Sequence, residues 1–124
     1  MKHTIIHTET APAAIGPYSQ GVRHQDTFYF SGQIPLTAQG ELVYGDIQTQ
    51  TKQVIANIAA LLESQNLTVE NVIKTTCFLV DMADFAGFNE IYSAFFTNKP
   101  ARSCVAVHQL PKNVLVEIEV IAAL

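Results

Sequence analysis

The sequence predicts an α+β fold in which two helices pack on one face of a mixed β-sheet. Two segments carry apolar residues at the spacing of an α-helix, and the segments around them are rich in β-branched and aromatic residues. The elements follow one another as a β-rich start, a helix, a strand, a second helix and two further strands. A sheet with both helices on one face is the simplest arrangement that buries these apolar surfaces.

The size and composition favour one globular domain. The chain has 124 residues, of which 48% are apolar and 15% are charged. This balance is typical of a chain that buries a core and is too apolar for a disordered one. The length suits a single domain over residues 1–124, because two domains would each be near the lower size limit. The low charged fraction also indicates that other copies of the chain cover part of the surface.

Several classes of protein are disfavoured by the composition. No apolar run approaches the roughly 20 residues that span a bilayer, and the first residues lack the apolar stretch of a signal peptide. Cys77 and Cys104 are too few for a disulfide scaffold, so we expect a reducing, cytoplasmic location. Seven basic and eleven acidic residues give a net charge of −4, which disfavours a nucleic-acid partner.

The N-terminal third contains extended segments. Residues 27–32 form a β-rich run that ends at a glycine, and a turn then precedes a short extended piece at 42–44. His3 and His7 have the spacing of a helical metal pair, but the Thr-Ile-Ile sequence between them favours a strand. In a strand they lie roughly 13 Å apart, too far to share a metal ion, so we expect no metal site.

The first helix is predicted from its cap and its apolar stripe. Asp46 is a suitable N-cap, because its side chain can accept a hydrogen bond from a free N–H of the first turn, and Asn66 is a suitable stop. The apolar stripe has helical spacing and comprises Ile47, Val54, Ile55, Ile58, Leu61 and Leu62. These side chains form the face that packs on the sheet.

The second half continues with a strand, a helix and two strands. Residues 72–80 are rich in β-branched residues and predict a strand, and a second helix begins near Asp84. Its apolar positions, which we interpret as core, are Phe85, Phe88, Ile91, Tyr92, Phe95 and Phe96. The last strands are predicted at 102–109 and 114–122, joined by a proline-containing turn at 110–113.

The last two strands are predicted to pair as a hairpin. A four-residue connection places even positions of one strand opposite odd positions of the other, and opposed residues share a face. Arg102 and Cys104 would then share a face with Glu117 and Glu119, while the apolar even positions of the last strand face the helices. Two interpretations of the mixed face stay open. It is either solvated, with ordinary ion pairs, or buried against sister subunits around a small polar pocket.

Seven short motifs, spread in order over the whole chain, resemble those of one family. They are APAAIGPYSQ at 11–20, SGQIP at 31–35, KTTCF at 74–78, DFAGFNEIY at 84–92, ARSCV at 101–105, LPKN at 110–113 and VEIE at 116–119. On these motifs the sequence resembles the RidA family, the YjgF-type reactive-intermediate deaminases. One departure is the connector at 96–100, which is shorter than in many members and bears on the pocket rim and the size of substrate.

The resemblance implies a chorismate-mutase-like fold, assembled as a homotrimer with its sites in clefts between neighbouring subunits. Members hydrolyse reactive 2-imino acids, such as 2-iminobutanoate and 2-iminopropanoate, to 2-keto acids and ammonia. Pyridoxal-phosphate enzymes acting on serine and threonine release these imines. The family uses no metal or organic cofactor. The implied partners are a small 2-imino or 2-keto acid and further copies of the chain. We expect no membrane partner, and the net charge disfavours a nucleic-acid partner.

The resemblance also implies roles for particular residues. Arg102 would hold the substrate carboxylate in a two-pronged contact, and Glu117 would activate the attacking water or carry a proton to the departing nitrogen. The backbone of Cys104 would bind the imine nitrogen. Its thiol is a weak candidate for a nucleophile, because His108 lies roughly 13 Å away along a strand. Four residues would complete the pocket, partly from the adjacent chain: Tyr18, Ser31, Gly32 and Asn89.

Three other functions stay open at this point. The same pocket would serve a non-catalytic regulatory protein that binds a metabolite without turnover. RNA cleavage or inhibition of translation has been proposed for relatives of the family, although the net charge of −4 counts against it. A holdase acting through exposed apolar surface is the third. Lys112 lies in a turn, and we interpret it as solvated rather than as a Schiff-base lysine.

Overall fold

Six strands and two α-helices make up the regular structure of residues 2–124, which the computed structural model describes. In chain order they are β1 (Thr4–Ile6), β2 (Gly21–His24), β3 (Thr27–Phe30), α1 (Ile47–Ser64), β4 (Val72–Leu79), α2 (Phe85–Phe95), β5 (Ala101–Ala106) and β6 (Val116–Ala123). The strands form one sheet in the order β1-β2-β3-β6-β4-β5, and β4 pairs with β5 in parallel. The predicted mixed sheet with two helices is therefore confirmed. Neither helix of the described residues has the length and apolarity to cross a membrane.

Helix α1 begins and ends where its sequence predicts. The Asp46 side chain accepts a hydrogen bond from the Thr49 N–H at 2.9 Å, which satisfies one of the free N–H groups of the first turn. Asn66 adopts a left-handed conformation with φ of 59°, and the Leu67 N–H returns to the Leu62 carbonyl oxygen at 2.9 Å. Because asparagine tolerates this conformation better than most residues, it ends the helix.

The core lies between the two helices and one face of the sheet. Even positions of β6 supply its centre, where Val116 and Ile118 are completely buried. The helices contribute Val54, Leu61 and Phe88, which are also completely buried. Full burial of each such side chain contributes roughly 1.5–3 kcal/mol to folding. The apolar row of the last strand and the stripes of both helices thus form the core, as predicted.

The predicted hairpin between the last two strands is wrong, because β4 lies between β5 and β6. Strand β4 pairs with both, and Thr75 lies opposite Arg102 whereas Phe78 lies opposite Glu117. Side chains alternate between the two faces along a strand, so Thr75 and Phe78 point to different faces of the sheet. Paired residues on adjacent strands share a face, so Arg102 and Glu117 also point to different faces. Arg102 is therefore on the helix-covered face, at the outer edge of the sheet, and Glu117 is on the uncovered face.

The connection between the two strands explains this outcome. Residues 107–115 pass the end of β4 instead of turning back at once, and both Leu110 and Val114 are buried along the way. From Lys74 onward, strand β4 alternates between half-buried and buried positions and suits the interior of the sheet, whereas β5 is exposed along most of its length and suits an edge. Cys104 consequently follows Arg102 to the helix-covered face, away from Glu119.

Other boundaries differ slightly from the sequence prediction. Strand β5 ends at Ala106 and β6 begins at Val116, so both are shorter at the connection than predicted. The extended piece predicted at 42–44 forms only an isolated bridge between Leu36 and Leu42. Strand β1 forms where the Thr-Ile-Ile sequence favours one.

One face of the sheet carries no helix. Its exposed apolar side chains include Ile5, Tyr29 and Val105, which keep 63%, 49% and 47% of their surface exposed. The half-buried Glu117 and the exposed Glu119 lie among such residues. Apolar side chains that are exposed on an uncovered sheet face are typical of a surface that contacts another protein.

Candidate functional site

The predicted site residues divide between two cavities. One cavity, of about 520 Å³, is lined by four of them: Tyr18, Ser31, Gly32 and Glu117. The other, of about 260 Å³, is lined by Asn89 and Arg102. We call the first the glutamate half-site and the second the arginine half-site. Neither contains both charged groups, and Cys104 lines neither.

In the glutamate half-site, Glu117 projects from β6 against the loop that carries Gly32. Two hydrogen bonds between Gln33 and Ile118, at 2.8 and 3.1 Å, tie this loop to β6 beside the carboxylate. The space that a Cβ atom on Gly32 would occupy is taken by Oε2 of Glu117. A glycine is therefore required here for the close approach of the carboxylate.

The rim of the same cavity is fixed by hydrogen bonds. Oγ of Ser31 donates to the Ser19 carbonyl oxygen at 2.6 Å, and the Ser31 N–H donates to the Gln20 carbonyl oxygen at 2.9 Å. The buried Gln20 side chain donates in turn to the Pro12 carbonyl oxygen at 2.8 Å. Tyr18 is 55% exposed at the mouth of the cavity, where its phenol can contact a ligand.

The environment of Glu117 favours its protonated form. Burial raises the pKa of this carboxyl above the ordinary glutamate value, and the negative charge of Glu119 raises the pKa further. A carboxyl with a raised pKa is suited to take a proton from water and to return it to a leaving group near neutral pH.

We expect Gly32→Ala to impair this half-site while the fold survives. The new methyl group would push the Glu117 carboxylate out of position, and a displacement of about 1 Å in a catalytic group can lower the rate about 10²-fold. The measurement is the rate of imine hydrolysis, the reaction proposed below, compared with Gly40→Ala. A Cβ atom at Gly40 meets nothing within 4 Å, but an alanine is strained by the left-handed φ of 87° there, so this variant controls for a loss of stability that leaves Glu117 undisturbed. Equal activity of the two variants would contradict the close-approach role.

In the arginine half-site, helix α2 holds Arg102 in one orientation. Its Cζ lies 4.7 Å from the ring centroid of Tyr92 and 5.5 Å from that of Phe85, and its Nη1 donates to Oδ1 of Asn89 at 2.7 Å. Tyr92 is itself fixed by a 2.7 Å hydrogen bond between its hydroxyl and that of Thr75. Because Asn89 is neutral, the charge of Arg102 stays available for an anion.

The backbone of Cys104 lies at the free edge of β5. Alternate residues of a parallel strand direct their backbone groups to the neighbouring strand, and the Val107 N–H donates to the Leu79 carbonyl oxygen at 2.7 Å. By this alternation the N–H and C=O of Cys104 face away from β4. Burial raises the pKa of the Cys104 thiol, with Arg102 opposing the shift, so the thiol is a poor nucleophile near neutral pH.

Three residues of the two half-sites were not predicted from the sequence as site residues. Phe85 and Tyr92 pack in the core, as predicted, and their rings also support the Arg102 guanidinium. The spacing from Phe85 through Asn89 to Tyr92, which puts them on one helix face, was the available signal. Lys112 is exposed, as predicted, but it also lines the glutamate half-site, and its left-handed φ of 57° has no signature in the sequence.

Comparisons with known proteins identify the family. The family model described as Endoribonuclease L-PSP matches residues 8–124. "Putative regulator AldR" of Lactococcus lactis is 57% identical over 120 residues, which is 95% of each chain. "2-iminobutanoate/2-iminopropanoate deaminase" of Escherichia coli is 48% identical over 121 residues, which is 94% of each chain. The crystal structure of E. coli TdcF with bound serine matches with a TM-score of 0.92 and 43% identity over 98% of each chain.

The agreement spans nearly all of the chain in both sequence and structure, and it includes the segments that form both half-sites. The chain therefore belongs to the Endoribonuclease L-PSP family, the RidA (YjgF-type) family that its motifs resemble.

Proposed function

We propose that this protein hydrolyses reactive 2-imino acids, such as 2-iminobutanoate and 2-iminopropanoate, to 2-keto acids and ammonia. One observation carries the proposal. The fixed guanidinium of Arg102, which has no acidic neighbour, lines one cavity, and the half-buried carboxyl of Glu117, whose pKa is raised, lines the other. Each cavity therefore lacks the charged group of the other. The E. coli relative that is 48% identical bears the name of this activity.

A complete site of this kind needs two protomers. Arg102 and Glu117 lie on opposite faces of the sheet and in different cavities, so one chain cannot apply both groups to one small substrate. The arginine half-site of one protomer would instead face the glutamate half-site of its neighbour. Three protomers joined head to tail can repeat this contact and close into a ring.

The uncovered face of the sheet supports this homotrimer. Burying Ile5, Tyr29 and Val105 between protomers would remove apolar surface from water, which is favourable. Glu117 lies on the same face, so an interface there would bring the glutamate half-site to the seam between protomers. The low charged fraction of 15% is consistent with such an assembly.

In the completed site, the chain's own groups would bind and orient the substrate. The free N–H groups of Arg102 would pair with the substrate carboxylate. The outward-facing carbonyl of Cys104 would accept a hydrogen bond from the protonated imine nitrogen. These two contacts would turn the imine carbon toward the Glu117 carboxylate of the neighbouring protomer, which would hold the attacking water.

Glu117 would then move the protons. Water adds to the imine carbon while one of its protons passes to the carboxylate, and the C=N π electrons move to nitrogen. Glu117 passes this proton to the nitrogen, and the C–N bond then breaks to release ammonia. As the C=O bond forms, the hydroxyl proton passes to Glu117 and from there to the ammonia, which leaves as ammonium. One protonated imine and one water thus give one keto acid and one ammonium ion, and Glu117 returns to its starting state.

The direct test generates 2-iminobutanoate in situ from threonine with a pyridoxal-phosphate dehydratase, in the presence of a nucleophile that traps the imine. The wild-type protein is expected to divert imine from the trap to 2-oxobutanoate and ammonia. Arg102→Ala should lower kcat/KM about 10²-fold or more, because the substrate carboxylate loses its charged partner.

Arg23→Ala is the matched control for this test. Arg23 also stacks on an aromatic ring, with its Cζ 4.9 Å from the centroid of Phe28, but it pairs with Asp26 and lines neither cavity. It should retain wild-type kcat/KM. Absence of acceleration by the wild-type protein, or full activity of Arg102→Ala, would overturn the proposal.

A regulatory role is the second candidate, because the Lactococcus lactis relative bears the name of a regulator. In that case the same cavities would bind a 2-keto or 2-imino acid without turnover. Binding of 2-oxobutanoate that depends on Arg102, together with no acceleration of imine hydrolysis, would favour this role.

A further inference from the structure

The arginine half-site contains a second cation that the proposed reaction does not use. Lys99 lines the same cavity of about 260 Å³ as Arg102, together with Asn89, Tyr92 and Ser93. No aspartate or glutamate lines this cavity. The lining of this cavity therefore includes two cationic residues and no acidic one.

Neither cation is neutralised by a neighbouring acid. Among the described residues 2–124, the ion pair that forms joins Arg23 and Asp26, away from this cavity. Glu90, the acidic residue that follows Asn89 on α2, does not line this cavity. Its Oε2 instead accepts a hydrogen bond from Nε2 of Gln48 on α1 at 2.8 Å. In a chain with a net charge of −4, a cavity with two uncompensated cations favours an anionic ligand.

The backbone fixes the position of Lys99. Its N–H donates to the Phe96 carbonyl oxygen at 3.1 Å, and Nδ2 of the preceding Asn98 donates to the Val72 carbonyl oxygen at 3.0 Å. Lys99 adopts a left-handed conformation with φ of 53°, which glycine or asparagine would adopt more readily. The short connector at 96–100 thus holds a lysine with a strained backbone in the lining of the cavity that Arg102 also lines, and such strain is often retained where a side chain has a function.

We propose that Lys99 is a specificity-determining residue that favours substrates with a second carboxylate. Arg102 would bind the carboxylate next to the imine, and Lys99 would bind a carboxylate at the end of the side chain, as in a 2-imino acid formed from a dicarboxylic amino acid. This inference rests on the proposed function for the identity of the first carboxylate contact. It adds to that function a substrate class, the dianionic 2-imino acids.

Stable keto acids test this inference without the unstable imines. The dissociation constants of 2-oxoglutarate, with two carboxylates, and 2-oxobutanoate, with one, are measured by calorimetry on the assembled protein at fixed ionic strength. The wild-type protein should bind 2-oxoglutarate more tightly. Lys99→Met should reduce this preference about fivefold, as expected for one partly exposed charge pair, whereas Lys99→Arg should keep most of it.

Lys52→Met is the matched control, because Lys52 is an exposed lysine of α1 that lines neither cavity. It should leave the preference unchanged. If the wild-type protein binds both keto acids equally, or if Lys99→Met keeps the wild-type preference, the role of Lys99 is overturned while the proposed function stands. If neither keto acid binds at all, the failure extends to the Arg102 carboxylate contact and to the proposed function.

Discussion

Subunits carrying Arg102→Ala and subunits carrying Glu117→Gln, each inactive alone, are expected to recover activity when they are assembled together. In the proposed homotrimer, each site takes Arg102 from one protomer and Glu117 from its neighbour. Random assembly of equal amounts should therefore produce about a quarter of the wild-type number of intact sites. The measurement is imine hydrolysis after the two variants are unfolded and refolded together, compared with each variant refolded alone.

The physical basis of this expectation is the separation of the two charges by the sheet. Because β4 lies between β5 and β6, the guanidinium and the carboxylate of one chain face away from each other. The double variant Arg102→Ala/Glu117→Gln, refolded with wild-type chain, is a control in which intact sites arise only between wild-type protomers. Sedimentation under the same conditions checks the assembly. A mixture that stays inactive, or a particle of 13.6 kDa at micromolar concentration, would contradict the shared site.

Glu117→Gln is expected to lower kcat about 10²- to 10⁴-fold, which is the usual contribution of a positioned acid–base group. Glutamine preserves the shape of the side chain and its fit against Gly32, but it cannot carry a proton. The loss should appear mainly in kcat, with a smaller change in KM, because the proposed contact between Arg102 and the substrate carboxylate would remain. A variant that retains most of the wild-type kcat would assign the proton transfers to another group.

The pH dependence of activity supplies a second readout of the same group. In the proposed mechanism the carboxylate form of Glu117 activates water, so kcat/KM should rise with pH through the pKa of this group. Burial is the larger cause of the raised pKa, and Glu119 is the smaller. Glu119→Gln should therefore shift the acidic limb of the profile to lower pH without abolishing activity. An unchanged acidic limb would indicate that Glu117 does not control it.

The raised pKa of Glu117 also affects the stability of the folded protein. The folded protein holds the Glu117 proton at pH values where the unfolded chain has already lost it, so this carboxyl opposes folding increasingly as the pH rises through that window. Glu117→Gln removes this unfavourable contribution to folding. The free energy of unfolding of the variant minus that of the wild type should therefore be larger at about pH 7 than at about pH 4. Urea unfolding at matched protomer concentration measures this difference, and a gain that is absent at neutral pH would contradict the raised pKa.

Local sequence determined the helices and the core of this protein. Asp46 and Asn66 set the ends of α1 because their side chains meet backbone requirements only a few residues away. The alternation along β6 determined which of its side chains are buried, since a strand must turn its apolar row to the core. The motif residues of the site could also be named from the sequence, because they rest on a resemblance that spans the chain.

Tertiary structure decided the order of the strands, and with it the placement of the site. Whether residues 107–115 turn back to form a hairpin or pass the end of β4 depends on which strand competes best for the centre of the sheet, and no local pattern encodes that competition. The outcome put Arg102 and Glu117 on opposite faces and placed Phe85 and Tyr92 beneath the guanidinium. Residue types and spacing are properties of a segment, whereas strand neighbours follow from the free energy of the whole fold, so only the folded chain reveals which groups can meet.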